Sequence, residues 1–571
     1  MKKRWKVNPV NRELQESLGR ELSILPITAQ LLINRGLVDK DRAFSFLKPD
    51  LNDLHDPFLM KDMVTAVERL SAAVAGGEKI AVFGDYDVDG TTSTALVHLF
   101  LKELGADSVT YIPERLKEGY GLNEAAVREL HGSGVKLIVT VDCGVSCHEE
   151  VALATTLGVD CIITDHHETT AELPPACAVL DPKRPDCTFP FKGLAGVGVA
   201  FNLVMALRTK LRDNGTSFPG GEVPNLKRYL DLVCIGTVAD MVPLVDENRV
   251  FVSWGLRELE NTTRPGLRAL KEVSGVKPGK VDTDNIAFQL APRINAAGRL
   301  KSADTALRLF TTGDEVEAGN MAALLQSENS SRQRIEAGIL EEALEMAEGE
   351  TGRSLVLSSP GWHPGVVGIV ASRMVGRFTK PTAMIAVEDG IARGSVRGIS
   401  GINVMEGLDA CAALLERYGG HKAAAGFSIA PKNIDGFKKA FGDFWNERLT
   451  DEDLVPEVAL DAVVSLDEID MRLVSELERL SPFGLSNRQP LFCAVDTDMV
   501  HTEVVKDRHL RVRVKQGGKK AGAAMNGIGF GLASLHPMKG RGFDVAYYPY
   551  LDEWRGSKNL KLRIEDVQKR K

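Results

Sequence analysis

Acidic and imidazole side chains follow four short apolar runs in this sequence. The runs 79–83, 136–141, 161–164 and 232–239 are followed, respectively, by Asp85-Tyr86-Asp87-Val88-Asp89, by Asp142, by Asp165-His166-His167 and by Asp240. Carboxylates held close together repel one another unless cations lie between them. Oxygen-rich ligation with some imidazole suits Mn²⁺ or Mg²⁺ better than a metal that prefers thiolates. If the fold brings these residues together, they predict a cluster of two divalent metal ions.

The apolar runs predict the elements that position these side chains. Short continuous apolar runs bounded by turn-forming residues are typical of buried parallel strands. Ligands of open parallel sheets bind beyond the carboxyl ends of the strands. We therefore expect an α/β fold in which four strand ends deliver carboxylates and imidazoles to one crevice.

The acidic segment 85–89 has two simpler interpretations, a solvated turn and an isolated Ca²⁺ loop. An EF-hand loop does not fit, because no glutamate stands at the twelfth position and strand and helix patterns flank the segment. The stretch 91–104 predicts a helix whose first turn faces the segment, where its amide groups favour phosphate. The specificity of the segment comes from its combination with the other three motifs.

Length and composition describe an ordinary multidomain globular protein. A chain of 571 residues predicts three or four domains, and 44% hydrophobic with 26% charged residues is usual for such proteins. No apolar run approaches the roughly 20 residues of a membrane helix, so we expect no membrane association. Eight cysteines without a CxxC pair indicate reduced thiols and a cytoplasmic location. Cys143 and Cys147 could form a metal pair, but small buried thiols are the simpler interpretation.

The charge distribution matters more than the net charge of −8. Residues 501–571 contain sixteen Lys and Arg against seven Asp and Glu. A basic terminal domain on an acidic body suits a polyanionic substrate, although an ordinary solvated surface would also account for it.

Patterning along the chain predicts five segments. Residues 1–56 predict a helical extension packed on the main domain, and 57–312 an α/β domain in which strands and helices alternate. Residues 313–350 are proline-free and predict one long connecting helix. Residues 351–450 predict a second α/β domain. After an acidic linker, alternating segments in 455–571 predict a small β-barrel.

The four motifs, in this order and spacing, resemble those of the DHH phosphoesterase superfamily, which is named for its Asp-His-His tripeptide. The segment 419–427 resembles the glycine-rich motif of the DHH-associated domain. The length, the segments 194–200 and 295–300 and the terminal barrel resemble the single-strand-specific 5′→3′ exonucleases of this superfamily. The resemblance implies a DHH catalytic domain at 57–312, a DHH-associated substrate-binding domain at 351–450 and an OB-fold nucleic-acid-binding domain at 455–571.

The resemblance also implies roles for the residues of the four motifs. Asp87 and Asp142 would hold one ion, with Asp85 at a position where relatives often have histidine. The other ion would be held by Asp89, Asp142, His166 and Asp240, which makes Asp142 the bridging ligand. His167 would face the scissile phosphate as hydrogen-bond donor or acid, and Asp165 would orient an imidazole. We count Asp142, Asp165 and His167 as catalytic.

A second set of residues is implied to bind substrate. Ser395 and Arg397 would contact a 5′-terminal phosphate, although the family often has Gly-Ser-Gly-Arg-Ser where this chain has Gly-Ser-Val-Arg-Gly. Tyr120 would stack on a base, which is a sequence-tolerant contact. Salt bridges or core packing are the alternative roles for such residues. The remaining candidates for substrate binding are Arg115, Arg299, His363, Gly419, Gly420, His421 and Gly426.

The implied function is a single-stranded-DNA-specific 5′→3′ exonuclease that releases 5′-mononucleotides and acts in recombination and repair. It would be a monomer that binds single-stranded DNA with a 5′ end, with a single-strand-binding protein and a helicase as candidate partners. The alternatives are a phosphodiesterase for short oligonucleotides or cyclic dinucleotides, an inorganic pyrophosphatase and a non-catalytic DNA-binding relative. The terminal barrel, the overall length and the complete ligand set favour the exonuclease over these three.

Overall fold

A computed structural model describes residues 3–114, 117–216, 218, 220–300, 303–388, 390–517, 522–554 and 557–570. The chain divides into two compact units. The larger unit comprises Trp5–Ala291, Phe310–Gly313 and Ala459–Lys571, and the smaller unit comprises Met1–Arg4, Pro292–Leu309 and Asp314–Val458. Among the described residues, no helix is both long enough and apolar enough to span a bilayer.

The first part of the chain alternates helices and strands after a helical start. The N-terminal elements are β1 (Arg4–Val7), α1 (Arg12–Leu22), α2 (Pro26–Asn34) and α3 (Lys40–Leu47). They are followed by α4 (Met63–Ala75), β2 (Ile80–Gly84), α5 (Val88–Glu103), β3 (Ser108–Tyr111), α6 (Glu124–Gly132), β4 (Leu137–Val141), α7 (His148–Thr156), β5 (Asp160–Thr164) and β6 (Ala178–Leu180).

The middle of the chain is helical up to the second sheet. Its helices are α8 (Gly196–Asp213), α9 (Leu230–Ala239), α10 (Asp246–Glu260), α11 (Pro265–Val273), α12 (Thr283–Asn285), a π-helical turn (Ile286–Leu290), α13 (Ala291–Leu300) and α14 (Asp304–Thr311). The next elements are α15 (Glu315–Ala347), β7 (Leu355–Ser359), α16 (Pro364–Phe378), β8 (Thr382–Glu388), β9 (Ile391–Arg397), α17 (Val404–Asp409), β10 (Leu415–His421), β11 (Ala424–Ile429) and α18 (Ile434–Arg448).

The last part of the chain forms a barrel. Its elements are β12 (Glu457–Leu460), β13 (Ala462–Val463), α19 (Met471–Glu478), β14 (Phe492–Val505), β15 (His509–Gln516), β16 (Met525–Gly529), β17 (Gly540–Trp554) and β18 (Ser557–Lys569). The strands β14, β15, β16, β18 and β17 pair in that order, and β14 also pairs with β17. The sheet therefore closes into a five-stranded barrel, as the alternating segments predict.

A five-stranded parallel sheet carries the first three motifs. Its strand order is β3-β2-β4-β5-β6, and every neighbouring pair is parallel. The strands β2 and β4 are buried along their whole length, which is why they are continuous apolar runs in the sequence. The prediction of parallel strands at 79–83, 136–141 and 161–164 is confirmed.

The prediction of a fourth strand at 232–239 is wrong. These residues form α9, and the strands of this region end with β6 at Leu180, so strands and helices do not alternate up to residue 312. All positions from Leu230 to Val238 are buried. A helix buried on every side has the same uninterrupted apolar sequence as a buried strand, so periodicity cannot distinguish them.

The N-terminal helices share a hydrophobic core with the C-terminal barrel. Leu31 and Phe46 belong to the same cluster of buried side chains as Phe492 and Tyr547. The buried Arg249 of α10 donates hydrogen bonds to backbone carbonyls on both sides, namely those of Phe46, Arg479, Leu480, Ser481 and Pro482. The predicted helical extension is therefore integrated with the barrel as well as with the parallel-sheet region.

The smaller unit is built on a mixed sheet of order β10-β11-β9-β8-β7. Only β7 and β8 are parallel, and the other pairs are antiparallel. One face is covered by α17 and α18 through Phe427, Phe437 and Trp445. On the other face α16 packs over β8 and β9, whereas β10 is exposed along almost its whole length. The predicted long helix is α15, which has 33 residues.

Candidate metal centre and substrate-binding surface

Four aspartates stand side by side at the carboxyl edge of the parallel sheet. Strand register places Gly84 beside Val141, Val141 beside Thr164 and Thr164 beside Leu180. The next residue on each strand is an aspartate, which gives the row Asp85, Asp142, Asp165 and Asp181. Sequence reasoning missed Asp181, although it follows the short apolar run 178–180 just as the other three follow theirs.

The segment after β2 places two further carboxylates at this edge. Asp87 is the N-cap of α5 and accepts a hydrogen bond from the Gly90 amide. Asp89 lies in the first turn of α5, so the helix begins earlier than predicted. Its two oxygens accept hydrogen bonds of 2.7 and 2.9 Å from the amides of Gly196 and Val197. The N-terminus of α8 therefore fixes the Asp89 carboxylate.

Asp240 reaches the same place from the C-terminal end of α9. Nε2 of His166 lies 3.1 Å from Oδ1 of Asp142 and 3.6 Å from Oδ2 of Asp240. Asp89, His166 and Asp240 each offer one ligand atom within 4.8 Å of the others. The Asp240 position was thus predicted correctly, although the element that carries it was not.

Three buried atoms around His166 have no hydrogen-bond partner. Among the described residues this holds for Oδ1 of Asp142, Nε2 of His166 and Oδ2 of Asp240. Buried polar atoms without partners are costly, and a cation would compensate all three together. The set of carboxylate oxygens with one imidazole nitrogen fits Mn²⁺ or Mg²⁺.

A second group of ligand atoms lies next to the first. Asp85, Asp87 and Asp142 also offer atoms within 4.8 Å of one another. Asp142 also offers an atom within 4.8 Å of His166 and His167, so it connects the second group to His166 of the first, and its backbone has a left-handed φ of 60°. All six predicted metal ligands therefore lie close together, in two groups that Asp142 connects through His166.

Burial and mutual repulsion keep protons on these carboxyls when no cation is bound. Desolvation, followed by the charge of Asp87, raises the pKa of Asp89 to about 7. Desolvation and the charges of Asp89 and Asp87 raise the pKa of Asp240 to about 9. The pKa of Asp142 is also raised well above its ordinary value, for the same reasons. A divalent cation would replace these protons.

The two adjacent histidines have opposite electrostatic environments. Burial and the neighbouring His167 lower the pKa of His166 to about 3, so His166 is neutral, as a metal ligand must be. Burial disfavours charge on His167 as well, but the hydrogen bond and charge of Asp165 raise its pKa to about 9. Nδ1 of His167 lies 2.7 Å from Oδ1 of Asp165. His167 therefore carries a proton at neutral pH.

Asp165 is itself held by the backbone. Its Oδ1 accepts hydrogen bonds from the amides of His166 and His167, and its Oδ2 accepts one from Val145. Although burial opposes its charge, these donors and His167 lower the pKa of Asp165. Asp165 thus favours its ionised form and holds the His167 ring by a hydrogen bond, and its role in catalysis stays a prediction.

Two tyrosines lie beside the metal ligands. The Tyr120 hydroxyl donates a hydrogen bond of 3.0 Å to the backbone carbonyl of Asp142 and lies 3.2 Å from Nδ1 of His167. The rings of Tyr120 and Tyr86 meet edge to face, with centroids 6.4 Å apart. Tyr120 is 48% exposed, so its ring remains available to a base. Tyr86 is a neighbour that the sequence reasoning did not single out.

In the smaller unit, Ser395 and Arg397 lie on one face of β9. Nη1 of Arg397 donates a hydrogen bond of 2.8 Å to Oγ of Ser395. Gly368 of α16 faces the pair, and a methyl group added to it would lie 2.9 Å from Oγ of Ser395. The absence of a side chain at Gly368 therefore leaves room for this pair beneath α16.

The glycine-rich segment continues the same surface. Ser395 is in register with Gly426 of β11, and Gly426 with Gly419 of β10. Arg397 is in register with Ala424, and Ala424 with His421. Gly420 has a φ of +151°, a conformation that favours glycine. Sheet pairing thus joins residues that are distant in sequence into one side-chain-poor surface.

The remaining predicted substrate-binding residues have separate positions. His363 is the N-cap of α16, and its Nδ1 accepts a hydrogen bond of 3.0 Å from the Gly365 amide. Nη1 of Arg299 donates to the Gly365 carbonyl at 3.0 Å. These two residues meet at the start of α16. Arg115 lies outside the described residues. The role of each of these residues in binding substrate stays a prediction.

Family models match three parts of the chain. Residues 79–237 match the DHH family, N-terminal domain, residues 351–447 match the DHHA1 domain, and residues 460–566 match the RecJ OB domain. The first match contains five of the six predicted metal ligands and stops just before Asp240. The second contains the Ser395–Arg397 pair and the glycine-rich segment.

Similar proteins match over almost the full length. The chain is 38% identical to the single-stranded-DNA-specific exonuclease RecJ of Bacillus subtilis, over 99% of this chain and 71% of that protein. It is 36% identical to the protein of the same name from Escherichia coli, over 97% of this chain and 98% of that one. The crystal structure of RecJ from Thermus thermophilus in complex with Mn²⁺ has 32% identity and a TM-score of 0.85, with 100% of this chain and 80% of that chain covered.

Proposed function

The chain belongs to the RecJ family of single-stranded-DNA-specific exonucleases, and we propose that it removes 5′-mononucleotides from single-stranded DNA in recombination and repair. The observation that carries the proposal is the pair of ligand groups that Asp142 connects through its contact with His166. Relatives that match nearly the whole chain are named single-stranded-DNA-specific exonucleases, and the matched Thermus thermophilus structures contain Mn²⁺ or Mg²⁺.

We assign the six ligands to two divalent ions. Asp85, Asp87 and Asp142 would hold one ion, and Asp89, Asp142, His166 and Asp240 the other. When bound, such a pair activates water and stabilises the charge that develops during phosphodiester hydrolysis. The amides of Gly196 and Val197 keep Asp89 oriented, and the Leu194 carbonyl, 3.0 Å from Nδ1 of His166, leaves Nε2 of that ring for the metal.

His167 supplies the proton chemistry in this proposal. It carries a proton at neutral pH, and its Nδ1 is occupied by Asp165, so Nε2 is the position from which it can donate. The leaving 3′ oxygen needs a proton or a hydrogen bond as the phosphodiester bond breaks. Asp165 holds the ring in place and favours the charged form.

Each unit carries its own proposed substrate contacts. In the smaller unit, Ser395 and Arg397 would bind the 5′-terminal phosphate, since arginine is suited to bidentate phosphate contacts. The flat surface at Gly419 and Gly426 would let the sugar–phosphate backbone approach closely. In the larger unit, the exposed ring of Tyr120 would stack on a base of any type.

End-labelled substrates test the proposal directly. Single strands, blunt duplexes, dinucleotides and cyclic dinucleotides are each incubated with Mn²⁺ or with EDTA. We expect metal-dependent release of mononucleotides from the 5′ end of single strands only. Hydrolysis confined to short or cyclic dinucleotides would support a phosphodiesterase instead, and binding without hydrolysis would support a non-catalytic role.

The remaining assignments concern the cellular location, the oligomeric state and the protein partners. We propose a cytoplasmic monomer that acts with a single-strand-binding protein and a helicase, because DNA ends must be unwound and protected before a single-strand nuclease can use them. Light scattering of the purified protein tests the monomer. Stimulation of duplex degradation by added helicase and single-strand-binding protein tests the partners.

A further inference from the structure

The side chain of Tyr120 has two ends with different surroundings. Tyr120 lies in the connection between β3 and α6, and 48% of it is exposed. Its hydroxyl nevertheless has two partners, the backbone carbonyl of Asp142 at 3.0 Å and Nδ1 of His167 at 3.2 Å. Tyrosine combines an apolar ring with a polar tip in this way. The ring is therefore open to a substrate, while the hydroxyl contacts two residues of the proposed catalytic machinery.

The hydroxyl can serve both partners at the same time. A tyrosine O–H group donates one hydrogen bond, and its oxygen can accept another. The Asp142 carbonyl can only accept, so the hydroxyl proton points to it. Nδ1 of His167 donates mainly to Asp165 at 2.7 Å, and the Tyr120 oxygen is a second acceptor beside it. The hydroxyl thus connects the backbone of a proposed metal ligand with the imidazole of the proposed proton donor.

The backbone of Asp142 needs such support because it is strained. Its φ of 60° lies in the left-handed region, which is costly for most residues other than glycine and persists only where neighbouring contacts hold it. The Asp142 amide donates to the Thr164 carbonyl at 3.0 Å, and the Asp142 carbonyl accepts from Tyr120. The peptide groups on both sides of the strained Cα are therefore fixed, one by the sheet and the other by the Tyr120 hydroxyl.

We propose that Tyr120 is a positioning residue, whose hydroxyl holds Asp142 in its left-handed conformation and keeps the His167 ring in place beside it. The inference rests on the proposed function, and it gives Tyr120 a role that is separate from stacking on a base. The backbone conformation of Asp142 sets the direction of its carboxylate, so a relaxed φ would turn the ligand that we assign to both ions.

Tyr120→Phe isolates the hydroxyl, because it keeps the ring and the edge-to-face contact with His167. Isothermal titration of the full chain with Mn²⁺ should show an affinity about tenfold or more below that of wild type. At saturating Mn²⁺, kcat on 5′-phosphorylated oligothymidylate should also fall about tenfold or more, whereas KM should change by less than about twofold. In EDTA, fluorescence anisotropy should show that the variant binds the same strand as wild type does.

Two further variants separate the hydroxyl from the ring and from general stability. Tyr120→Leu removes the ring as well, so it should lose Mn²⁺ affinity and also bind the strand more weakly in EDTA. Tyr547→Phe is the matched control, since the Tyr547 hydroxyl likewise donates to a backbone carbonyl, that of Val464, at 2.9 Å. This bond lies in the core of the barrel, so its loss should leave Mn²⁺ affinity and kcat unaltered.

The possible outcomes are distinct. Wild-type Mn²⁺ affinity and kcat in Tyr120→Phe overturn the inference. A rise in KM without a fall in kcat also overturns it, because Tyr120 would then act in substrate binding alone. An equal loss in Tyr547→Phe would overturn it too, since the effect would then be one of general destabilisation. Wild-type protein that does not degrade single strands overturns the proposed function, whereas the Mn²⁺ affinities of the variants still decide the role of Tyr120.

Discussion

Gly196 faces the carboxylate of Asp142 so closely that a methyl group added to its Cα would lie 2.5 Å from Oδ1. Such a distance is far below van der Waals contact, so Gly196→Ala must displace Asp142, the ligand that we assign to both ions. We expect metal affinity to fall at least tenfold, as for other changes that misplace a ligand. Isothermal titration with Mn²⁺ measures the loss.

The control for Gly196→Ala is Gly319→Ala in α15, where nothing lies within 4 Å of the added methyl group. That change should leave Mn²⁺ affinity unaltered and raise stability by roughly 0.5–1 kcal/mol, because alanine favours a helix. Wild-type affinity in Gly196→Ala would show that Asp142 is not positioned as described.

Asp142→Ala removes the ligand that we assign to both ions, and we expect at least about a 10³-fold loss of hydrolysis. Binding of single strands in EDTA should survive, because no proposed strand contact involves this carboxylate. Initial rates with Mn²⁺ on a labelled single strand provide the measurement. Retention of more than a tenth of the wild-type activity would contradict the two-metal assignment.

Asp165→Asn should change the pH dependence of catalysis. The bond to Asp165 helps to raise the pKa of His167 to about 9, and a proton donor is active only below its pKa. Wild-type activity should therefore decline at alkaline pH, and in Asp165→Asn this decline should begin at lower pH, by about one unit or more. A pH–rate profile at saturating Mn²⁺ checks the shift, and His167→Ala should lack that limb.

Metal removal should make the fold sensitive to alkaline pH. The pKa values of Asp89 and Asp240 are raised to about 7 and about 9, so their protonated forms stabilise the metal-free fold below their ordinary pKa. That stabilisation is lost as pH rises through 7 and 9, when buried like charges appear without a cation. In EDTA the melting temperature should fall over this range, whereas in Mn²⁺ it should not. Equal curves in both conditions would contradict the metal site.

Arg249→Met should destabilise the larger unit. The guanidinium donates to the backbone carbonyls of five residues, and its loss leaves these buried acceptors without partners. We expect the free energy of unfolding to drop by about 3 kcal/mol or more. Urea unfolding measures this, and Arg257→Met is the control, since Arg257 mainly stacks on Trp254.

The sequence predicted which acidic and histidine side chains lie close together better than it predicted the elements that carry them. β2, β4 and β5 could be recognised because strands buried on both faces are uninterrupted apolar runs. The same logic failed for Leu230–Ala239, where a helix is buried on every side. Asp240 was still recognised as a candidate, because a carboxylate that directly follows a buried apolar run indicates a site whether the run forms a strand or a helix. Asp181 was missed because β6 has only three residues.

The surface that we propose binds substrate could not be predicted in full, because a single sequence does not contain the strand register that forms it. Ser395 and Gly426 are neighbours only through the register of β9 and β11. Register depends on how whole strands pack, so residue types alone cannot predict it.

The core shared by the N-terminal helices and the barrel determines when the protein can finish folding during its synthesis. The Leu25 amide bonds to the Glu476 carboxylate, 451 positions later in the chain. The first helices leave the ribosome with apolar side chains whose partners have not yet been made. Contacts of such sequence separation form slowly, and exposed apolar surface in the meantime promotes aggregation. The N-terminal helices are therefore the part of the nascent chain most prone to aggregation until the barrel has been synthesised.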